Sequence, residues 1–411
     1  MCILLLLTSF TLLRLFALLT SLTLFTMRCS AVFTLLMTGS ALALPRTSTT
    51  TSVLTKRVDN STSTCSPANA TTSGGYYRYL GRVDPASKRL TWPATGITFK
   101  FTGTSASVPI TAISGTNAIV VIVDGVETAI DNVNGSSIST GTLAQGVHTV
   151  EIRKKSEASF GSVTIGDPTT SGTFCSIAQP TKRIEIIGDS ISVGYGVSGT
   201  YPCVNTAALE DATLTYGALT AKNISADYSI VAWSGKGIIR NYVTPSGDDD
   251  QPIVPELWTR YEADGPDNSY DFQTPVDIVV VNLGTNDFGF TSYYANGTAF
   301  QARPLLNITE YTNALITFGA QIQAKYPDAE LFITTSPLIG DYYPPEDPRQ
   351  KTNQLAAVKT AVAELGSKAH VVDFPSQDAS DNNIGCDYHP SRLTQEQDAV
   401  ILTEAIRAVT G

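Results

Sequence analysis

A serine and a histidine are the residues best placed to do chemistry. The apolar run Arg183–Ile187 ends in Gly188-Asp189-Ser190. A serine directly after a buried strand, with a glycine that permits a tight turn, is positioned to act as a nucleophile. A lone Gly-Asp-Ser reads equally well as a serine capping the next helix, so the assignment depends on partners. A serine nucleophile needs a base, usually histidine, and the chain has three. His148 lies in an N-terminal β-rich region, in a turn before a strand. His370 opens a predicted buried strand. His389 sits in the loop Gly385-Cys386-Asp387-Tyr388-His389-Pro390, just before the last predicted helix. Elimination leaves His389 as the base.

Acyl transfer also needs hydrogen-bond donors aimed at the developing oxyanion. The predicted strand Tyr228–Trp233 runs into Ser234-Gly235-Lys236-Gly237, and Asp277–Asn282 runs into Gly284-Thr285-Asn286-Asp287. The Gly235 N–H and the Asn286 amide, with the Ser190 N–H, make three donors from three strand ends. Each alone would read as turn chemistry; their placement after successive strands is the signal. Other chemistries fit less well. There is no G-x-S-x-G elbow, no C-x-x-C or H-E-x-x-H zinc pattern, and no pair of carboxylates at strand ends to suggest a glycosidase. Gly194-x-Gly196-x-x-Gly199 matches a dinucleotide fingerprint, but it begins beyond the strand end, runs into Thr200-Tyr201-Pro202 and opens no evident helix.

These residues need a scaffold that delivers several strand ends to one edge. From Arg183 onward, five short apolar runs (Arg183–Ile187, Tyr228–Trp233, Asp277–Asn282, Glu330–Thr335 and His370–Phe374) alternate with helical segments such as Glu310–Tyr326, Gln350–Leu365 and Thr394–Val409. That alternation predicts a five-stranded parallel α/β sheet with helices on both faces, over 180–411. Reactive residues on such sheets lie at the carboxyl ends of the strands. Residues 75–170 differ. Short alternating runs such as Ile97–Phe101, Ala118–Val123 and Thr149–Arg153 are separated by turn residues, and Asp124-Gly125 is a hairpin signal. This predicts an all-β sandwich.

The chain has 411 residues, 42% hydrophobic and 16% charged, with a formal charge of −10. The acidic balance argues against nucleic acid or anionic membrane as partners. Residues 1–44 contain no acidic residue. The stretch from Met27, with a short basic start, an apolar middle and Ala41-Leu42-Ala43 at its end, reads as a signal peptide starting at Met27, with 1–26 an upstream extension. The competing reading is an N-terminal membrane anchor. Residues 45–74 are Ser/Thr-rich and read as a linker or propeptide, with Lys56-Arg57 a candidate cleavage pair. Sequons at Asn60, Asn69, Asn134, Asn223, Asn296 and Asn307 suit a glycosylated, extracellular protein. Four cysteines remain after position 44, which allows three connectivities. Cys65–Cys175 would tie the two ends of the sandwich, and Cys203–Cys386 would brace the catalytic half. A monomer is expected, with no membrane contact once the signal is removed.

The blocks Gly188-Asp189-Ser190, Ser234-Gly235-Lys236-Gly237, Gly284-Thr285-Asn286-Asp287 and Asp387-Tyr388-His389-Pro390 resemble those of the SGNH (GDSL-type) hydrolases. With His148–Ala158 in the β region, the chain resembles carbohydrate esterase family two, acetyl esterases with a jelly-roll domain ahead of the SGNH domain. The resemblance covers about residues 75–411. It implies Ser190 as nucleophile, His389 as base, and an oxyanion hole of Ser190, Gly235 and Asn286. It also implies removal of acetyl groups from xylan- or mannan-type polysaccharides, without metal or cofactor. The broader superfamily places its acid three residues before the histidine. Here that position is Cys386, and Asp387 stands two before. Asp387 is expected to be the acid that orients His389; the alternative the resemblance implies is a Ser-His dyad helped by a backbone carbonyl. Tyr342, Tyr343 and Trp258 are candidate sugar-stacking residues. The alternatives are a GDSL lipase acting on other acyl groups, or a carbohydrate-binding protein built on an inactive esterase.

Overall fold

The computed structural model describes residues 65–66, 75–248, 251–342, 349–378, 380 and 382–411. The expected leader, most of the Ser/Thr-rich stretch, the sequons Asn60 and Asn69, and Tyr343 lie outside the described residues. Among the described residues no helix is long and apolar enough to cross a membrane.

The C-terminal part is built on a five-stranded parallel sheet of Arg183–Gly188, Asp227–Ala232, Ile278–Asn282, Glu330–Thr334 and Ala369–Val372. In chain order the strands lie 2-1-3-4-5. The central strand Ile278–Asn282 is buried throughout, which explains its unbroken apolar run: both faces of the sheet are covered. Successive side chains enter opposite cores. Val279, Val281 and Ile187 face one cluster, capped by Tyr311, Leu315 and Phe318 of the helix Ile308–Lys325. Val280, Ile278 and Ile186 face the other, against Leu402 and Ile406 of the helix Arg392–Thr410.

The N-terminal part is an antiparallel sandwich. One sheet contains Tyr77–Leu80, Gly96–Gly103, Gly146–Lys154, Ile119–Val123 and Val126–Ile130; the other is built on Ala106–Gly115 and Gly161–Ile165. Asp124 and Gly125 both take positive φ (51° and 81°) in a two-residue hairpin that pairs Val123 with Val126, as the Asp-Gly signal requires. His148 lies within a strand, since that strand begins at Gly146. The sandwich has its own core, with Phe99, Phe101, Val150 and Ile152.

The two layers are joined by buried polar contacts. Arg82 pairs with Glu185 at 2.9 Å, both side chains almost fully buried, and Trp92 donates its indole N–H to the Tyr261 carbonyl at 3.0 Å. Disulfides link Cys65 to Cys175 and Cys203 to Cys386.

Candidate active site

The strand Arg183–Gly188 lies between Asp227–Ala232 and Ile278–Asn282, and Gly188 is in register with both Ala232 and Asn282. Three chain segments therefore leave the sheet at one level, at the point where the strand order reverses. In open α/β sheets that is where ligand crevices form. Gly188 must be glycine: a Cβ there would lie 2.1 Å from Ser192 Oγ. Asp189 caps the short helix Ser190–Val193 by accepting the Ile191 N–H at 3.0 Å. Burial pushes the Asp189 carboxyl up to about 7. Ser190 opens that helix, 4% exposed.

Across the crevice, His389 Nε2 lies 2.8 Å from Ser190 Oγ. The loop that brings it there is tied down at several points. Cys386 is disulfide-bonded to Cys203, Gly385 donates its N–H to the His389 carbonyl at 2.7 Å, and Ile384 bridges to Pro390. Asp387 and Tyr388 both adopt left-handed backbone, φ 51° and 62°. Asp387 enters the site through its main chain: its carbonyl oxygen lies 3.2 Å from His389 Nδ1. Its carboxylate accepts instead from the Asn205 N–H at 3.0 Å and the Tyr195 hydroxyl at 3.1 Å.

This geometry sets the histidine tautomer. A carbonyl oxygen can only accept, so Nδ1 carries the hydrogen and Nε2 presents its lone pair to Ser190. The Tyr195 ring stacks on the imidazole, centroids 4.1 Å apart. Burial pushes the His389 imidazole down to about 4, so it is neutral and able to accept a proton at ordinary pH.

The two turns expected to donate follow the strands on either side of Arg183–Gly188, and Asn286 Nδ2 lies 3.5 Å from Asp189 Oδ2, next to Ser190. Gly235 has φ +79°, left-handed backbone that suits glycine. Asn286 is the second residue of the short helix Thr285–Phe288, is almost fully buried, and donates from Nδ2 to the Lys236 carbonyl at 2.8 Å. Its amide thus reaches the turn that holds Gly235. The neighbouring Asp287 is a clamp: its carboxylate accepts the N–H groups of Ile238, Ile239 and Arg240 at 2.8–3.1 Å. Arg303 braces the same corner, donating to the Asn286, Gly289 and Asn241 carbonyls.

The structure places the remaining candidates as follows. Trp258 is a correction. It is 2% exposed, donates its indole N–H to Glu185 at 2.8 Å, and packs edge-on against Phe318. It is a core residue because the turn of helix Val254–Leu257 directs it inward. Tyr342 is 94% exposed, on the loop after Glu330–Thr334. Sequence reasoning missed Tyr195, five residues beyond the serine, and the pair Tyr201–Tyr388. The two hydroxyls of that pair lie 2.6 Å apart, and Tyr388 stands 60% exposed next to His389.

The other two histidines are engaged elsewhere, His148 with Asp124 and the Ala144 carbonyl, His370 with Glu330. The Gly194-x-Gly196-x-x-Gly199 pattern is a packing feature: a Cβ on Gly196 or Gly199 would fall 2.5 Å and 2.2 Å from Cys386 atoms. The sequon asparagines Asn134, Asn223, Asn296 and Asn307 are exposed. Among the described residues no group of three or more His, Cys, Asp or Glu side chains could hold a metal.

Residues 79–176 match the family model described as carbohydrate esterase 2 N-terminal, and residues 186–396 match the GDSL-like lipase/acylhydrolase family. A solved carbohydrate esterase family 2 enzyme with its carbohydrate binding domain, from Corynascus thermopiles (Myceliophthora fergusii), is 48% identical with a TM-score of 0.76. That match covers 81% of this chain and 98% of the other. The chain belongs to carbohydrate esterase family 2. Among curated relatives, cellulase/esterase CelE of Acetivibrio thermocellus is 32% identical over 353 residues. These are 81% of this chain but 39% of that protein, so the chain spans well under half of CelE. An acetylxylan esterase/glucomannan deacetylase of Cellvibrio japonicus is 28% identical over 319 residues, covering 75% of this chain and 82% of that enzyme.

Proposed function

We propose that this family 2 protein is a secreted serine esterase that removes O-acetyl groups from xylan- or mannan-type plant polysaccharides. The observation that carries the chemistry is the 2.8 Å contact between His389 Nε2 and Ser190 Oγ at the carboxyl edge of the sheet. The substrate class is supported by the named activities of the Cellvibrio japonicus relative. The exposed Tyr388 beside His389 adds a flat apolar surface suited to a sugar face. Secretion is supported by two disulfides and by the exposed sequon asparagines.

In the reaction, His389 Nε2 takes the hydroxyl proton as Ser190 Oγ attacks the acetyl carbonyl. The charge on the carbonyl oxygen is met by the Ser190 and Gly235 N–H groups and the Asn286 amide. His389 then gives its proton to the departing sugar oxygen, which leaves an acetyl group on Ser190. Water, deprotonated by His389, adds to that ester; acetate departs and the proton returns to Ser190. The Asp387 carbonyl holds the imidazole in the required tautomer throughout and favours the transient imidazolium.

The test is acetate release from acetylated xylan and acetylated glucomannan, run beside p-nitrophenyl esters of increasing acyl length. Release from the polysaccharides with a sharp preference for acetyl over octanoyl is expected. Preference for long acyl chains would favour a lipase instead.

A further inference from the structure

Several buried polar groups at the seam between the sandwich and the hydrolase layer take no part in the reaction described above. Lys154 and Glu157 close a sandwich strand and the loop after it; Glu210 comes from the hydrolase side. All three are almost fully buried, Glu157 at 2% exposure. Lys154 Nζ donates to the Glu157 carbonyl at 2.8 Å, and the Glu157 N–H donates to Glu210 Oε1. The Glu157 side chain continues into the hydrolase layer, where Oε2 accepts the main-chain N–H of Ser234 at 2.7 Å. Its other oxygen accepts the Ser159 hydroxyl at 2.8 Å. Buried carboxylates are expensive to maintain, and this one is spent on the backbone of the residue just before Gly235.

We infer that Glu157, a residue of the β-sandwich, is a positioning residue of the oxyanion turn, fixing Ser234 so that the next N–H, that of Gly235, points at the reacting oxygen. The turn needs such an anchor. Gly235 is a left-handed glycine, the most freely rotating residue type, and a Cβ there would meet nothing closer than 3.6 Å, so packing around Gly235 itself does not fix its peptide; the far side of the turn is held through Lys236, whose carbonyl accepts from Asn286. The Gly235 carbonyl is held by the Tyr242 N–H at 2.7 Å. Glu157 holds the near side. The sandwich therefore completes the active site, whether or not it also binds glycan. The seam extends toward the base as well: Glu210 Oε2 accepts from the Asn205 amide at 2.9 Å, and Asn205 donates its N–H to the Asp387 carboxylate.

This inference rests on the esterase reading, and the experiment separates the two. Steady-state kinetics with p-nitrophenyl acetate compare the full chain with Glu157→Ala, Glu157→Asp and Glu157→Gln, with Ser190→Ala as the control and near-UV circular dichroism to check folding. Alanine removes the acceptor and aspartate retracts it by one methylene. Both should lower kcat roughly 10–100-fold with KM little changed, the signature of a misaligned transition-state donor. Glutamine keeps an acceptor oxygen for Ser234 and should restore most of kcat. A folded Glu157→Ala with undiminished kcat overturns the inference, as does a folded Glu157→Gln as impaired as the alanine variant. If the alanine variant does not fold, the aspartate and glutamine variants decide alone. An active Ser190→Ala would instead sink the esterase reading itself.

Discussion

The carbonyl oxygen of Asp387 faces Nδ1 of His389 at 3.2 Å, while the carboxylate of the same aspartate is turned to Asn205 and Tyr195. The residue that orients the base therefore does so with its backbone. A carbonyl accepts one N–H as well as a carboxylate does, but it carries no full charge, so it stabilises the imidazolium less and leaves the histidine pKa low. Burial pushes His389 down to about 4, and the Asp387 contacts offset it only in part, which changes what substitutions at the site should do.

Asp387→Asn is expected to lower kcat by less than about 10-fold. Asparagine tolerates left-handed backbone better than most residues, so the carbonyl should stay in place, and one side-chain acceptor remains for Asn205. In a full triad the corresponding change costs about 10⁴ in kcat. Steady-state kinetics on an acetyl ester distinguish the two, and a loss of that size would assign the carboxylate a direct role.

The acid limb of the pH–rate profile should lie unusually low. Only the neutral imidazole can take the Ser190 proton, and burial keeps His389 neutral down to about 4. As pH falls, kcat/KM should hold to about pH 5 and then decline, approaching tenfold per unit below the pKa. Initial rates on p-nitrophenyl acetate check this; a limb centred near the ordinary histidine value of about 6.5 would contradict it.

Asn286→Ala should reduce kcat by about 10²–10³, the usual effect of deleting one side-chain oxyanion donor, with little change in KM. Asn286 also donates to the Lys236 carbonyl, so a modest fall in Tm should accompany the loss. Unchanged kcat would remove Asn286 from the oxyanion hole.

Gly199→Ala should destabilise the fold by about 1–3 kcal/mol through overpacking. Its Cβ would fall 2.2 Å from Cys386 Sγ and 2.7 Å from Cys203 Sγ, and the shift would propagate to His389 three residues on. Thermal unfolding and kcat measured together should both fall. A variant with wild-type Tm would show that the loop has more room than its packing indicates.

Much of this was legible in the sequence, for identifiable reasons. The five parallel strands are buried on both faces and so appear as plain apolar runs. Ser190 and His389 stood out because a strand-end serine and a scarcity of histidines leave few combinations. What stayed hidden depends on backbone angles and long-range packing. The orienting role of the Asp387 carbonyl rests on a φ of 51°, which a residue name does not encode; the sequence pointed to Asp387 as an acid and left open a dyad without one. Trp258 was misplaced because a tryptophan near a site can face either the core or the cleft, and only the packing of Glu185 and Phe318 around it decides. Glu157 lies 77 residues before the Ser234 it holds, in a different layer, and no local pattern connects the two.

The central claim is that acetyl transfer passes through Ser190. The most direct measurement is rapid acid quench of the enzyme turning over an acetyl ester, followed by peptide mass spectrometry. The account predicts a peptide acetylated at Ser190 in the wild type, and neither acetylation nor acetate release in Ser190→Ala. Acetylation of another residue, or deacetylation that continues in Ser190→Ala, would contradict it.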